Sequence, residues 1–254
     1  MKTRFTQLLL AATTFIGASS AMSGEFNSDG VKIHYDIFGK GEPVILIHGL
    51  YASAKTNWEL PGVAAELAKR YQVVALDNRG HGQSDKPTAE GAYGVKMTGD
   101  IVRLMDHLHI AKAHVVGYSM GGMITMKLLT LHPDRVISAV LGGMGWLKAG
   151  SPQQRMWEMA QGRKGEKTPA ACLHGFAQLA VTEAEVKAVR VPVTVIIGER
   201  DICRRLYVEP LRQIRPDWPV RVIAGAGHLN CIVKPDFKAQ IASALEKHSS
   251  GKPK

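Results

Sequence analysis

Cysteine is scarce in this chain, with three among 254 residues: Cys172, Cys203 and Cys231. None forms a C-x-x-C pair, so the spacing supports neither a zinc ribbon nor a thioredoxin-like redox centre. No cysteine precedes Cys172, so nothing near the N-terminus could carry a lipoprotein anchor. The chain also lacks a nucleotide-binding glycine loop. Gly142-Gly143-Met144-Gly145 comes nearest, but it misses the G-x-G-x-x-G spacing and no helix start follows it. No cluster of metal-ligand residues is seen, and no cofactor or metal is expected. Acidic charge is in deficit: 22 acidic against 32 basic residues give a formal charge of +10. The excess is scattered rather than interleaved with aromatics. Its densest stretches, 148–167 and 200–215, hold no nucleic-acid motif, so the expected reading is a basic solvated surface without a nucleic-acid partner.

No apolar run is long enough to cross a bilayer, which takes about 20 residues. The longest near the N-terminus, Leu8 to Ala18, follows Lys2 and Arg4 and precedes Ser19, Ser20 and Ala21. A basic start, a short apolar core and small residues at a cleavage point describe a secretory signal peptide. Cleavage near Ala21 then yields an exported product, periplasmic or secreted, with no stable membrane anchor.

The whole chain is 45% hydrophobic, enough for one sizeable core. Val31 to Phe38 alternates and turns at Gly39-Lys40-Gly41, which reads as an opening hairpin. Val44–Ile47, Val73–Leu76, Ala113–Val116 and Val136–Leu141 are short apolar runs of the kind that form strands buried on both faces. Between them, Trp58–Arg70, Thr98–Leu108 and Met120–Leu131 carry helical patterns. Strand Val191–Ile197, a helix near Val208–Ile214, strand Val220–Ile223 and a helix over Asp236–Lys247 resume the rhythm. Such alternation predicts an α/β fold, a mostly parallel sheet with helices on both faces. The rhythm breaks over 142–190, where Ser151-Pro152, Thr168-Pro169 and Thr182-Glu183-Ala184-Glu185 each read as a helix start. The expected organisation is a signal peptide (1–22), a core (23–141 and 191–248), a helical cap (142–190) and a frayed tail (249–254).

The segment Gly117-Tyr118-Ser119-Met120-Gly121 places a serine between two glycines, after an apolar run and before a helix. That is the nucleophile-elbow pattern: the turn is so tight that its neighbours two residues away must be small. The following helix aims its free N–H groups and positive dipole end at the place where an oxyanion would develop. A serine needs a base, and the base needs an orienting carboxylate. In a parallel sheet such groups collect beyond the carboxyl ends of strands. His228 sits there in Ala224-Gly225-Ala226-Gly227-His228, and Asp201 in Gly198-Glu199-Arg200-Asp201. Glu199 is the nearer rival for the acid, Asp77 the more distant one. His48 and His81 lie in glycine-containing turns, and the remaining histidines carry no serine or acid signal around them.

Taken together these residues resemble the α/β-hydrolase fold superfamily, of the kind with a small helical cap. Ile47-His48-Gly49-Leu50 is similar to its oxyanion turn, Asp77-Asn78-Arg79-Gly80-His81-Gly82-Gln83-Ser84 to its loop after the fourth strand, and the elbow, acid loop and histidine loop follow in order. The resemblance implies that Ser119 attacks an acyl carbonyl, that His228 moves the proton, and that Asp201 fixes the imidazole. It implies an oxyanion hole from the backbone N–H groups of Leu50 and Met120, and a structural role for His48 and the Asp77–Ser84 loop. The serine nucleophile disfavours dehalogenase and epoxide-hydrolase chemistry, whose family members use aspartate. Candidate pocket residues are Tyr51, Tyr118, Met144, Trp146 and Trp157, with simple packing of the cap as the alternative. The expected activity is hydrolysis of a small-molecule carboxylic ester. C–C bond hydrolysis, acyl transfer or peracid formation share the triad, and a non-catalytic binding protein shares the scaffold. Cys203 and Cys231 flank the acid and the base, so a disulfide between those loops is one expectation and two separate buried thiols the other.

Overall fold

The computed structural model describes residues 22–161 and 168–250. The proposed signal peptide therefore lies outside the described residues, apart from Met22, as does part of the cap. Eight strands form one sheet in the order β1-β2-β4-β3-β5-β6-β7-β8. Strands β1 (Met22–Ser28) and β2 (Val31–Phe38) make an antiparallel hairpin, and β2 also runs antiparallel to β4 (Tyr71–Leu76). From β4 onward every pairing is parallel, through β3 (Glu42–Ile47), β5 (Ala113–Tyr118), β6 (Val136–Gly142), β7 (Val193–Gly198) and β8 (Val220–Ile223).

The opening hairpin differs from the sequence expectation. It turns at Asp29-Gly30, both with positive φ, and joins β1 to β2. Gly39-Lys40-Gly41 instead leads from β2 to a strand it does not pair with. In β1 the fully buried residues are Phe26 and Ser28, too few to print an apolar alternation.

The parallel strands are buried on both faces, and alternation sorts their side chains. Ile45, Ile47, Ala113 and Val115 join a core layer with α2 (Val95–His107), α3 (Met120–Leu131) and the cap. Val44, Leu46, Val116 and Tyr118 join the opposite layer with α1 (Val63–Leu67) and α8 (Pro235–Glu246). The single helix expected over 58–70 is two short pieces, Lys55–Glu59 and α1, parted at Pro61-Gly62. Proline removes a donor there, and Gly62 takes φ 73°.

Between β6 and β7 the chain leaves the sheet and forms α4 (Pro152–Glu158), α5 (Ala170–Gly175) and α6 (Glu183–Ala188). Ser151 caps α4 by accepting from Gln154 N, and Thr182 with Glu185 makes a full capping box on α6. Thr168 does not cap α5; its hydroxyl donates to the Gly80 carbonyl (3.3 Å), tying the cap to the loop after β4. After β7, α7 (Glu209–Ile214) precedes β8. The tail is held further than expected. Ser249 Oγ lies 2.9 Å from the Tyr71 hydroxyl, and the Ser250 hydroxyl donates to Glu42 (2.7 Å). No helix among the described residues is long and apolar enough to cross a membrane.

Candidate active site

The residue at the tip of the β5–α3 turn is Ser119, with φ 54° and ψ −113°, a conformation that side chains rarely adopt. Its flanking glycines are required by contact. A methyl group at Gly117 would collide with the Gly121 carbonyl and the Thr125 hydroxyl, and one at Gly121 with the Ile47 carbonyl. The sequence pattern thus reflects three backbone segments meeting at one point. The Ser119 carbonyl accepts the N–H groups of Gly122 (2.8 Å) and Met123 (3.2 Å), which starts α3 directly beneath the nucleophile.

The three candidate catalytic side chains come together from the ends of β5, β7 and β8. Ser119 Oγ lies 2.9 Å from His228 Nε2, and His228 Nδ1 lies 2.8 Å from Asp201 Oδ2. The Asp201 side chain is fully buried, while that of His228 is 28% exposed, so the imidazole closes the site toward solvent. The second carboxylate oxygen of Asp201 accepts the backbone N–H of Cys203 (2.9 Å), which fixes the acid in one orientation. The rival acids are occupied elsewhere. Glu199 accepts from Gly225 N (2.8 Å), bracing the histidine loop. Asp77 accepts from Ala54 N and Gln83 N, both at 2.8 Å, and ties two loops together.

The proposed oxyanion donors lie beside the nucleophile. Met120 opens α3, so its N–H has no acceptor within the helix. Leu50 follows the His48-Gly49 turn, which passes close to Ser119: a Cβ built on Gly49 would sit 3.3 Å from Ser119 Cβ. Polar side chains that the sequence reading did not single out hold this turn. Asn57 accepts from Gly49 N (2.7 Å), and Asn78 donates both its backbone N–H to His48 Nε2 (2.9 Å) and its side-chain amide to the His48 carbonyl (3.2 Å). The His48 ring is fully buried and donates through Nδ1 to the Gly49 carbonyl (2.7 Å). Burial pushes its basicity down, and burial together with the neighbouring His48 brings His81 down to about 3. Both rings are neutral struts, packed edge to face at 5.2 Å.

The five candidate pocket residues separate in space. Alternation along β5 sends Tyr118 to the face opposite Met144 and Trp146. There its ring meets Phe237 edge-on at 5.5 Å and its hydroxyl donates to the His228 backbone carbonyl, so it supports the histidine loop from below. Met144 packs against Gly122 at the start of α3, and Trp146 donates from its indole nitrogen to the Val181 carbonyl (2.7 Å). Trp157 is partly buried and meets Phe176 at 5.0 Å within the cap. Tyr51 stands at the rim, 39% exposed, with φ 60°.

Of the two expectations for Cys203 and Cys231, the structure has the separate thiols and no disulfide: all three cysteines are free. Cys203 and Cys231 both lie near enough to the buried Asp201 carboxylate to feel its charge. Burial, reinforced by that negative charge, pushes each thiol up to about 12, so both are neutral at physiological pH.

Three comparisons with known proteins bear on this arrangement. Residues 42–174, just over half of the chain, match the model of the family described as alpha/beta hydrolase fold. The dihydrolipoyllysine-residue acetyltransferase component of the acetoin cleaving system from Cupriavidus necator is 42% identical over 114 residues, 44% of this chain and 29% of that protein. The 2-hydroxy-6-oxo-6-(2'-aminophenyl)hexa-2,4-dienoic acid hydrolase of Metapseudomonas resinovorans is 36% identical over 123 residues, 48% of this chain and 42% of that protein. The chain thus spans well under half the length of either relative. Among solved structures, 2-hydroxy-6-oxo-6-phenylhexa-2,4-dienoate hydrolase from Rhodococcus sp. strain RHA1 superposes with a TM-score of 0.73 over 91% of this chain and 99% of that one. Its identity is 22%, so that likeness speaks for the fold alone. With the strand order, the strained elbow and the family match in agreement, the chain belongs to the α/β hydrolase fold family.

Proposed function

We propose that this chain is an exported serine hydrolase that cleaves a small carboxylic ester through an acyl-enzyme. The observation that carries the reading is the unbroken chain from Ser119 Oγ through His228 to the buried Asp201, at 2.9 and 2.8 Å. His228 Nε2 takes the Ser119 proton as Oγ attacks the ester carbonyl, and Asp201 stabilises the imidazolium that results. The tetrahedral oxyanion is received by the N–H groups of Leu50 and Met120, each worth about 3 kcal/mol of transition-state stabilisation. Collapse expels the alcohol, protonated by His228. Water activated by the same imidazole then releases the acid and restores Ser119.

Cleavage of a C–C bond beside a ketone is the second reading. It is favoured by the similarity to the Metapseudomonas hydrolase, whose name describes a dienoic acid substrate. The test is a turnover screen of the purified protein on p-nitrophenyl esters of graded acyl length, beside an amide and a vinylogous diketone. A serine-directed fluorophosphonate probe is run in parallel. Ester turnover with probe labelling that vanishes in Ser119→Ala is expected. Turnover of the diketone alone shifts the assignment to the second reading. Absence of labelling in the wild type overturns the nucleophilic role.

A further inference from the structure

The sequence holds no contiguous zinc motif, yet the fold gathers three metal-ligand side chains from two loops. Asp201, Cys203 and His228 each bring one ligand atom to within 4.8 Å of the others. We propose that these residues form an inhibitory site for Zn²⁺ or a similar borderline-soft divalent cation. The inhibition, though not the binding, rests on the triad reading above.

The donor chemistry fits this class of ion. Thiolate, imidazole and carboxylate are the ligands that zinc takes in proteins, whereas Mg²⁺ and Ca²⁺ want oxygen cages. Charge balances as well, since one thiolate and one carboxylate neutralise a divalent ion beside a neutral imidazole. Tetrahedral bonds of about 2.0–2.3 Å put ligand atoms about 3.3–3.6 Å apart. His228 Nδ1 and Asp201 Oδ2 lie 2.8 Å apart, so they need separate only by a fraction of an ångström. The Cys203 thiol has no part in the proposed hydrolysis, in which that residue serves only through its backbone N–H to Asp201. Its thiol is half-buried beside the carboxylate, and of the three ligands Asp201 alone also lines a groove of ≈ 370 Å³, together with Glu199, Arg200, Arg204, Arg205 and Glu209. Three protein ligands leave a fourth position for water.

Binding would silence the base through its tautomer. In the resting site Nδ1 carries the proton that bonds to Asp201, leaving Nε2 free to accept from Ser119. A cation on Nδ1 forces that proton onto Nε2, while the Cys203 thiol proton leaves to solvent. Nε2–H then faces Ser119 Oγ as a donor and cannot take its proton. No bond in the protein is oxidised or reduced, and chelation reverses every step.

The experiment titrates the purified protein with Zn²⁺ while following ester turnover, and with Cd²⁺ while following the thiolate-to-cadmium absorbance band. Each variant is scored against its own metal-free rate. Zn²⁺ in the micromolar range is expected to stop turnover, EDTA to restore it, and millimolar Mg²⁺ to leave it intact. Cys203→Ser and Cys203→Ala should each raise the inhibiting Zn²⁺ concentration by more than about tenfold, the scale seen for losing even a supporting group of a metal site. Both should also lose the cadmium band, while Cys172→Ser keeps it. A cadmium band that survives in the Cys203 variants, or inhibition equal to wild type in them, overturns the site. If no substrate is turned over at all, the cadmium band still reports binding, so the two readings fail separately.

Discussion

A serine held at φ 54° costs the fold of order 1–3 kcal/mol, because its Cβ crowds the backbone in that region. Ser119→Ala keeps the Cβ and the strain but removes the hydroxyl. It should lower kcat by about 10⁴–10⁶ with little change in thermal midpoint. Ser119→Gly removes both, so it should match the alanine variant in activity and exceed it in stability by up to about 1 kcal/mol. Equal midpoints for the two variants in calorimetry would show that the turn carries no strain. Asp201→Asn leaves the geometry in place but favours the wrong imidazole tautomer, for a loss of about 10⁴ in kcat. Glu199→Gln should retain activity within a few-fold, because Glu199 braces Gly225 and does not reach His228. Three buried histidines, His48, His81 and His114, bear on acid stability, each lowered chiefly by burial. His81 is pushed down to about 3, so between the ordinary histidine range near 6.5 and about 3 the unfolded chain binds a proton there that the folded chain refuses, and the others act in the same sense. Stability is therefore full above about pH 6.5 and falls on acidification by up to about 1.4 kcal/mol per pH unit per histidine. Urea unfolding across that window should show the slope, and His81→Asn should remove part of it.

At the scale of elements, one buried ion pair joins the loop after β4 to α2. Arg79 bonds Asp100 twice, at 2.7 and 2.6 Å, and donates a third bond to the Ala92 carbonyl at 2.6 Å, with both side chains 2% exposed. Breaking such a pair leaves one charge buried without its partner, at a cost of about 3–5 kcal/mol. Arg79→Leu and Asp100→Leu should each lose that much by urea denaturation, and the double variant should recover part of it. If the double variant falls by the sum of the two, the pair is not coupled as described. This element shows why parts of the chain were legible and others were not. The Asp77–Ser84 loop could be set down as structural because its residues form a dense pattern of polar groups and glycines in one place. The partner Asp100 could not be found, since it lies in mid-helix with nothing local to mark it. Helix boundaries with their own chemistry, Ser151-Pro152 and the Thr182–Glu185 capping box, read correctly, whereas Thr168 looked identical and bonds Gly80 instead. Asn57 was invisible for a related reason, since it holds the His48-Gly49 turn 8 residues earlier, and Asn78, although in the loop set down as structural, reaches His48 30 residues away.

Over the whole molecule, the parallel core and the gathering of Ser119, Asp201 and His228 were legible because buried parallel strands are mostly apolar and end at the loops that carry the chemistry. Strand order and the opening hairpin were not, since β1 shows a burial pattern too sparse to signal a strand. That strand now bears on the proposed export. The described part of β1, Met22–Ser28, lies beyond the expected cleavage near Ala21 and pairs with β2 along that length. Its last residue, Ser28, contacts Asp100 through its hydroxyl and accepts from Arg103 (2.7 Å), so β1 is tied to the ion pair that braces α2. Removal of residues 1–21 should therefore leave a chain that folds and turns over substrate. Removal of residues 1–28 should expose the edge of β2 and strip Asp100 of its Ser28 contact, lowering the thermal midpoint by several degrees and promoting aggregation. N-terminal sequencing of the protein recovered outside the cytoplasm should begin at or within a few residues of Met22. A chain lacking residues 1–21 that fails to fold would mean that the segment belongs to the domain, and the removable leader would then have to be abandoned.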